Sequence, residues 1–235
     1  MANPYKIVFD SFHLYHLPQF DPVIDLLCKD ERFKLYFSTA SHNKPQELEL
    51  CVSILKNKPG ELILADSEES RALKIKALSP DVFICGWSRY EISKFVPDST
   101  LVGMIYHGIG VKPSYWKDNN KRLDIRFVEG EYRIEQLRQK GIKTDLALTG
   151  FTKLDPLFQG TDDKFQVLKK SLGLDSSKKT ILFAPTFYPS SIERFGMRFG
   201  DYTKDYNVIL KPHMWTYFLD AFSQYNLKHQ RELIY

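Results

Sequence analysis

Four short segments of this chain combine histidine, lysine, hydroxyl and glycine residues in a way that suits phosphate chemistry. The first is Ile105-Tyr106-His107-Gly108-Ile109-Gly110-Val111-Lys112, an apolar run that stops at a histidine followed by two glycines and a lysine. A histidine titrates near neutrality and can take a proton from a hydroxyl. Gly108 and Gly110 let the backbone turn tightly and approach a ligand closely, and Lys112 adds a cation. The second is Val208-Ile209-Leu210-Lys211-Pro212-His213, in which Lys211 and His213 together suit a phosphate or the charge on a leaving group. Standing alone, it also reads as a strand exit whose turn is fixed by Pro212.

The third segment, Leu182 to Glu193, carries Thr186, Ser190 and Ser191 between a strand and a predicted helix. Ser190 and Glu193 have capping-box spacing, so free backbone N–H groups and three hydroxyls are expected at one strand end, a setting that favours anions. The fourth, Gly150-Phe151-Thr152-Lys153-Leu154-Asp155, reads as structural, with Lys153 and Asp155 bracing a crossing segment. His13 and His16 form an H-x-x-H pair, but zinc needs a third ligand and the sequence places none nearby, so no metal site and no cofactor are expected. The chain has no phosphate-binding P-loop, no dinucleotide fingerprint and no G-x-S-x-G nucleophile elbow.

Positioning these segments requires a framework, and the chain reads as alternating β and α. Strands are predicted at Tyr5–Asp10, Phe33–Thr39, Glu61–Ala65, Asp81–Cys85, Thr100–Tyr106, Ile125–Val128 and Asp145–Leu148. Between them, helical periodicity runs from about Asp21, with Pro22 in the first turn, and over Pro45–Lys56, Ser67–Leu78 and Tyr132–Lys140. A second set follows: helix Phe165–Leu172, strand Thr180–Ala184, helix Ser191–Phe199, strand Asn207–Leu210 and helix Trp215–Tyr225. The expected architecture is α/β, with one complete Rossmann-like domain over residues 1–158 and the first part of a second over 159–235. In open parallel sheets ligands bind beyond the carboxyl ends of the strands, and all four segments sit at such ends.

Composition narrows the function classes. With 33 Lys+Arg against 29 Asp+Glu, the formal charge of +4 is spread along the chain and does not argue for a nucleic-acid protein. Three cysteines, Cys28, Cys51 and Cys85, form no C-x-x-C and read as reduced core residues of a cytoplasmic protein. The N-terminus shows no signal sequence, and no apolar run approaches the roughly 18 residues of a membrane span.

In their order, His-Gly-Ile-Gly-x-Lys at 107–112, Gly-Phe-x-Lys-Leu-Asp at 150–155, Phe-Ala-Pro-Thr-Phe at 183–187 and Lys-Pro-His at 211–213 resemble the CDP-glycerol glycerophosphotransferase family, the teichoic-acid-type primases and polymerases with a GT-B fold. The resemblance implies transfer of glycerol phosphate from CDP-glycerol, or a related nucleotide donor, to a hydroxyl on a polyprenyl-linked or polysaccharide acceptor in cell-envelope polymer synthesis, at the cytoplasmic face of the membrane. It implies that His107 is the base on the acceptor hydroxyl and that His213 assists at the pyrophosphate. The strand-end residues Gly108, Gly110, Lys112, Lys211, Thr186, Ser190 and Ser191 are the expected substrate contacts. Family members continue past Lys-Pro-His to an Asp-Tyr-Ser-Ser-like segment that holds donor phosphates. This chain ends at Tyr235 without one, so an incomplete donor-side domain is expected. Two alternatives share the architecture: a sugar-nucleotide glycosyltransferase or 2-epimerase-like protein, and a catalytically incomplete binding module.

Overall fold

A computed structural model of the chain describes residues 3–110, 113–117, 120–160, 162–186, 190–195 and 198–217. The chain divides into two compact units, residues 1–159 and 160–235. Unit 1 is built on seven strands: β1 (Tyr5–Ser11), β2 (Phe33–Thr39), β3 (Glu61–Ile63), β4 (Val82–Cys85), β5 (Leu101–Ile105), β6 (Ile125–Val128) and β7 (Asp145–Leu148). They form one parallel sheet in the order β3-β2-β1-β4-β5-β6-β7. The chain therefore moves outward from β1 to β3 on one side, then returns to β4 and continues on the other. The point where the winding reverses lies between β1 and β4, which makes the crevice beyond their carboxyl ends the natural ligand position in a sheet of this type.

Strand alternation divides the core between two faces. Ile7 and Phe9 pack with Leu17, Phe20 and Ile24 of α1 (Leu17–Leu27) and with Cys51 and Leu55 of α2 (Pro45–Leu55). On the other face, Val8, Phe83 and Val102 pack with Ala72 and Ile75 of α3 (Glu68–Leu78). After α4 (Ser114–Lys117), α5 (Glu131–Gln139) adds Leu137 to that second cluster. Ser67 caps α3, its Oγ accepting from the Ser70 N–H at 3.1 Å. The crossing segment is ordered as a 3-10 turn at Thr152–Leu154 and α6 (Asp155–Phe158), and Thr152 Oγ donates to the Gln19 carbonyl at 2.6 Å.

Two sequence expectations differ from the structure here. The first helix begins at Leu17, not near Asp21: Pro18 takes the early position that tolerates a missing N–H, and Pro22 lies inside the helix. The apolar stripe of α1 is accordingly Leu17, Phe20 and Ile24, and Cys28 falls at the C-cap, outside that stripe. Cys28 is exposed rather than a core residue, whereas Cys51 and Cys85 are buried, and burial pushes the Cys51 thiol up to about 12.

Unit 2 contains α7 (Asp162–Ser171), β8 (Thr180–Phe183), α8 (Ile192–Phe195), α9 (Phe199–Tyr202), β9 (Asn207–Leu210) and α10 (Met214–Tyr217). β8 and β9 are parallel neighbours with Phe183 opposite Leu210. Asn207 ties the entry to both strands, its amide donating to the Asp175 carbonyl at 2.7 Å and accepting from the Asp175 N–H at 3.0 Å. The predicted helix Ser191–Phe199 is instead the short α8, with α9 beginning at Phe199, and residues 196–197 lie outside the described ones. The predicted helix Trp215–Tyr225 is described only as α10, and residues 218–225 lie outside the description. No helix among the described residues is long and apolar enough to cross a membrane.

Candidate functional site

The reversal point of the unit 1 sheet is lined by histidines and aromatic rings from three strand ends. β1 delivers Phe12, His13, Tyr15 and His16, β4 delivers Gly86, Trp87 and Tyr90, and β5 delivers His107. Tyr15 lies with its ring centroid 5.0 Å from His13, 4.7 Å from His16 and 5.1 Å from His107. Trp87 lies within 6.4 Å of the same three imidazoles. Two aromatic rings thus bracket three histidines in one compact cluster.

A backbone contact fixes the tautomer of the His107 ring. Its Nδ1 lies 3.0 Å from the Gly86 carbonyl oxygen, which can only accept, so Nδ1 carries the proton and Nε2 is the basic nitrogen of the neutral ring. The following loop is tied from α5: Arg133 donates to the Gly110 carbonyl and lies with its guanidinium 4.8 Å from the Tyr115 ring centre. Gly110 has φ +145°, a conformation that L side chains rarely adopt, and a Cβ on Gly108 would meet the Tyr115 hydroxyl at 2.9 Å. Both glycines therefore serve the turn. Lys112 lies outside the described residues.

His16 is the buried centre of the cluster. It is fully enclosed, and its Nδ1 accepts from the His13 backbone N–H at 3.3 Å, so Nε2 carries the proton. That Nε2 has no hydrogen-bond partner among the described residues. Burial, with the neighbouring His107 and His13 adding to it, holds the His16 imidazole well below its ordinary 6.5. Because the unfolded chain protonates this residue below about 6.5 while the native protein does not, stability is expected to fall with decreasing pH from there, by up to about 1.4 kcal/mol per pH unit. Urea denaturation of the protein and of His16→Gln across that range should show this slope only in the former.

Gly86 makes this packing feasible. A Cβ at position 86 would lie 2.8 Å from His16 Cγ and 3.1 Å from its Nδ1, against a ring that is enclosed on every side. Gly86→Ala is expected to cost about 1–3 kcal/mol through overpacking and to displace the carbonyl that fixes the His107 tautomer. A lowered urea midpoint together with a changed His107 NMR titration checks this; an unchanged titration contradicts it.

Beside this trio stands a carboxylate that sequence patterns do not single out. Glu47 is buried in α2, and its Oε1 accepts from the Leu14 N–H at 2.9 Å and lies 3.2 Å from His13 Nδ1. The His13 side chain is 17% exposed, and the Glu47 side chain 4%. Behind the cluster, Asp10 on β1 is fully buried against Arg71 of α3, and Tyr90 donates to its Oδ2 at 2.6 Å. Arg71 also donates to Ser38 at 3.0 Å and to Glu68 at 2.6 Å. Burial alone would raise the Glu68 carboxyl, but the hydrogen bonds and charge of Arg71, with Ser41 helping, bring it down to about 2. Tyr90 in turn stacks on Phe12 at 5.5 Å, and Phe12 on Trp87 at 5.8 Å.

In unit 2 the register of β8 and β9 puts the segments after Phe183 and after Leu210 at one end of the two-stranded sheet. Thr186 and Lys211 are exposed there, His213 is half-buried, and its carbonyl accepts from the Thr216 N–H at 2.8 Å. The Ser190 hydroxyl accepts from the Ile192 N–H at 3.2 Å, a contact at the start of α8; Ser191 is half-buried beside it. The Glu193 side chain, the other half of the expected capping box, lies outside the description. Lys153 and Asp155 stand in the 3-10 turn and α6 of the crossing segment. Among the described residues no group of three or more His, Cys, Asp or Glu side chains is arranged to hold a metal ion.

Residues 119–228 match the family model for CDP-Glycerol:Poly(glycerophosphate) glycerophosphotransferase, a span that holds three of the four motifs on which the sequence resemblance rests. The match supports that family resemblance, while the His107 segment stands just before it. No curated protein sequence matches the chain. Among solved structures, a Listeria monocytogenes protein described as a UDP-N-acetylglucosamine 2-epimerase is similar at 16% identity and TM-score 0.59, over 91% of this chain and 64% of its own. A UDP-GlcNAc 2-epimerase from Neisseria meningitidis, bound to UDP-GlcNAc, is similar at 16% identity and TM-score 0.54, over 88% and 64%. A Rickettsia africae glycosyltransferase is similar at 14% identity and TM-score 0.51, over 98% and 67%. The chain thus has the α/β fold of GT-B-type epimerases and glycosyltransferases and spans about two thirds of their length.

Proposed function

We propose that the chain works in glycerophosphotransfer, moving a glycerol phosphate unit from CDP-glycerol to a hydroxyl of a polyprenyl-linked or polysaccharide acceptor. The observation that carries this reading is the family-model match over residues 119–228. In this reading unit 1 is the acceptor side and unit 2 the donor side. His107 Nε2 takes the proton of the acceptor hydroxyl as its oxygen attacks the phosphorus that bears glycerol. The new O–P bond forms as the bond to the CMP phosphate oxygen breaks, and CMP leaves with the electron pair. Lys211 and His213 neutralise charge on the departing phosphate, with Thr186, Ser190 and Ser191 as hydrogen-bond donors and the Gly108–Gly110 turn, with Lys112, close to the substrate. Transfer of this kind to a lipid-linked polymer belongs at the inner face of the cell membrane, with the protein held there peripherally.

The fold neighbours favour a second reading, a UDP-sugar enzyme of the epimerase or glycosyltransferase kind, and the donor separates the two. Incubating the protein with CDP-glycerol or with UDP-GlcNAc, each with an acceptor preparation, is expected to release CMP from the first and leave the second unchanged. Turnover of UDP-GlcNAc alone would overturn the proposal.

A further inference from the structure

The sheet face toward which His107 points carries a cavity that the proposed reaction leaves unassigned. A space of about 290 Å³ lies between α1 and the sheet, within unit 1, with Ile84, Ile105 and Phe127 on the strand side and Val23 and Leu27 on the helix side. The distribution of layers explains it. The segments that follow β4 send Ile92, Tyr115 and Leu137 to the opposite face, so among the described residues only α1 and the turn around Thr152 meet the strands at the cavity. A parallel sheet is ordinarily covered on both faces, and here the cover is thin. Val23, Leu27 and Phe127 accordingly remain half-buried.

The chemistry of the lining narrows what fits. Its two polar residues follow β7: Thr152 Oγ is committed to the Gln19 carbonyl at 2.6 Å, and Thr149 is exposed and marks the open side. A peptide segment placed here would find no partners for its backbone N–H and C=O groups, whereas a hydrocarbon chain needs none. At nearly twice the roughly 150 Å³ of an apolar cavity that stays dry and takes up benzene, the space holds about ten carbons. Four adjacent strands, β1, β4, β5 and β6, contribute to the lining, a span of about 14 Å at ordinary strand spacing, which suits a chain rather than a compact ring.

We propose that this cavity binds the isoprenoid chain of a lipid-linked acceptor, enclosing about two isoprene units. Ile105 lies two residues before His107, about 7 Å along the strand, and Ile84 lies two before Gly86, whose carbonyl holds the His107 ring. The contacts of His107 with Tyr15 and His16, which lead into α1, put its ring on the same side of the sheet as the cavity. A chain seated in the cavity therefore tethers its polar end close to the proposed base. That a hydrocarbon chain fits rests on the cavity alone; the choice of an isoprenoid rests on the glycerophosphotransfer reading.

Calorimetric titration with geranyl phosphate, a ten-carbon isoprenoid, tests the cavity, with inorganic phosphate and decyl phosphate as comparisons. Saturable binding of geranyl phosphate is expected, with none of inorganic phosphate over the same range and with decyl phosphate binding no more tightly. Val23→Phe puts a ring into the space and is expected to weaken geranyl phosphate tenfold or more, since each buried methylene carries about fourfold in affinity. Leu26→Ser, a change on the exposed side of the same helix, is expected to bind as the unaltered protein does. If Val23→Phe unfolds at a lower temperature than the unaltered protein, Leu27→Trp fills the space from the next turn and carries the same test. Absence of saturable binding, equal binding of inorganic phosphate, tighter binding of decyl phosphate, or undiminished affinity in the filled variants overturns the proposal. The two readings fail separately. Geranyl phosphate binding that Val23→Phe removes, in a protein that does not turn over CDP-glycerol, leaves the cavity and removes the transfer reaction; CMP release by Val23→Phe with an unchanged KM for a polyprenyl-linked acceptor does the reverse.

Discussion

Arg71→Leu is expected to destabilise the protein by about 3–5 kcal/mol, a large share of the roughly 5–15 kcal/mol by which a domain is ordinarily stable. The expectation follows from what the substitution leaves behind. Asp10 and Arg71 are both fully buried and paired with each other. Without the guanidinium, Asp10 retains the Tyr90 hydroxyl at 2.6 Å, and the Ser38 hydroxyl loses its partner at 3.0 Å. A buried carboxylate stripped of its cation carries the full cost of desolvation. Lost packing of the guanidinium over Phe95, 4.5 Å from the ring centre, adds to it. Asp10→Asn combined with Arg71→Leu removes the charge along with its partner and is expected to recover a large part of the loss. A urea midpoint of Arg71→Leu equal to that of the unaltered protein would show that the pair is not buried as described. The network also reaches the site, because Tyr90 anchors the Phe12 and Trp87 stack that walls the histidine cluster.

Much of this framework is legible in the sequence, since buried parallel strands are continuous apolar runs and β4 and β5 lie where such runs lie. The start of α1 is ambiguous in the sequence because two prolines, Pro18 and Pro22, each fit a first turn, and only packing of Leu17 and Phe20 against β1 selects the earlier start. The site was half legible. His107 stands at a strand end with glycines after it, a local signal. His13 and His16 carried a weak metal-like spacing whose meaning depends on the strand order, because nothing local says that β1 and β4 flank the reversal point. Glu47 was illegible: in an amphipathic helix one glutamate among Glu47 and Glu49 looks like another solvated charge, and only the fold turns the first inward to His13. Gly86 likewise carries no motif, and its role appears only when the His16 ring is seen against it.

The second large effect concerns the reaction itself. His107→Ala removes the nitrogen proposed to accept the hydroxyl proton, and general-base loss of this kind lowers rates by about 10²–10⁴-fold. His107 lies at the rim of the cluster, half-buried, with Nδ1 3.0 Å from the Gly86 carbonyl oxygen, and alanine in its place adds no bulk and leaves no buried charge. A drop in kcat with little change in binding of CDP-glycerol marks the loss of a group that acts in the transition state. The most direct measurement is therefore CMP release from CDP-glycerol in the presence of acceptor, for the protein and for His107→Ala at equal concentration and matched thermal stability. The account predicts release by the former and a loss of at least about 10²-fold in the latter. Release undiminished in His107→Ala, or none from CDP-glycerol by either protein, would contradict it.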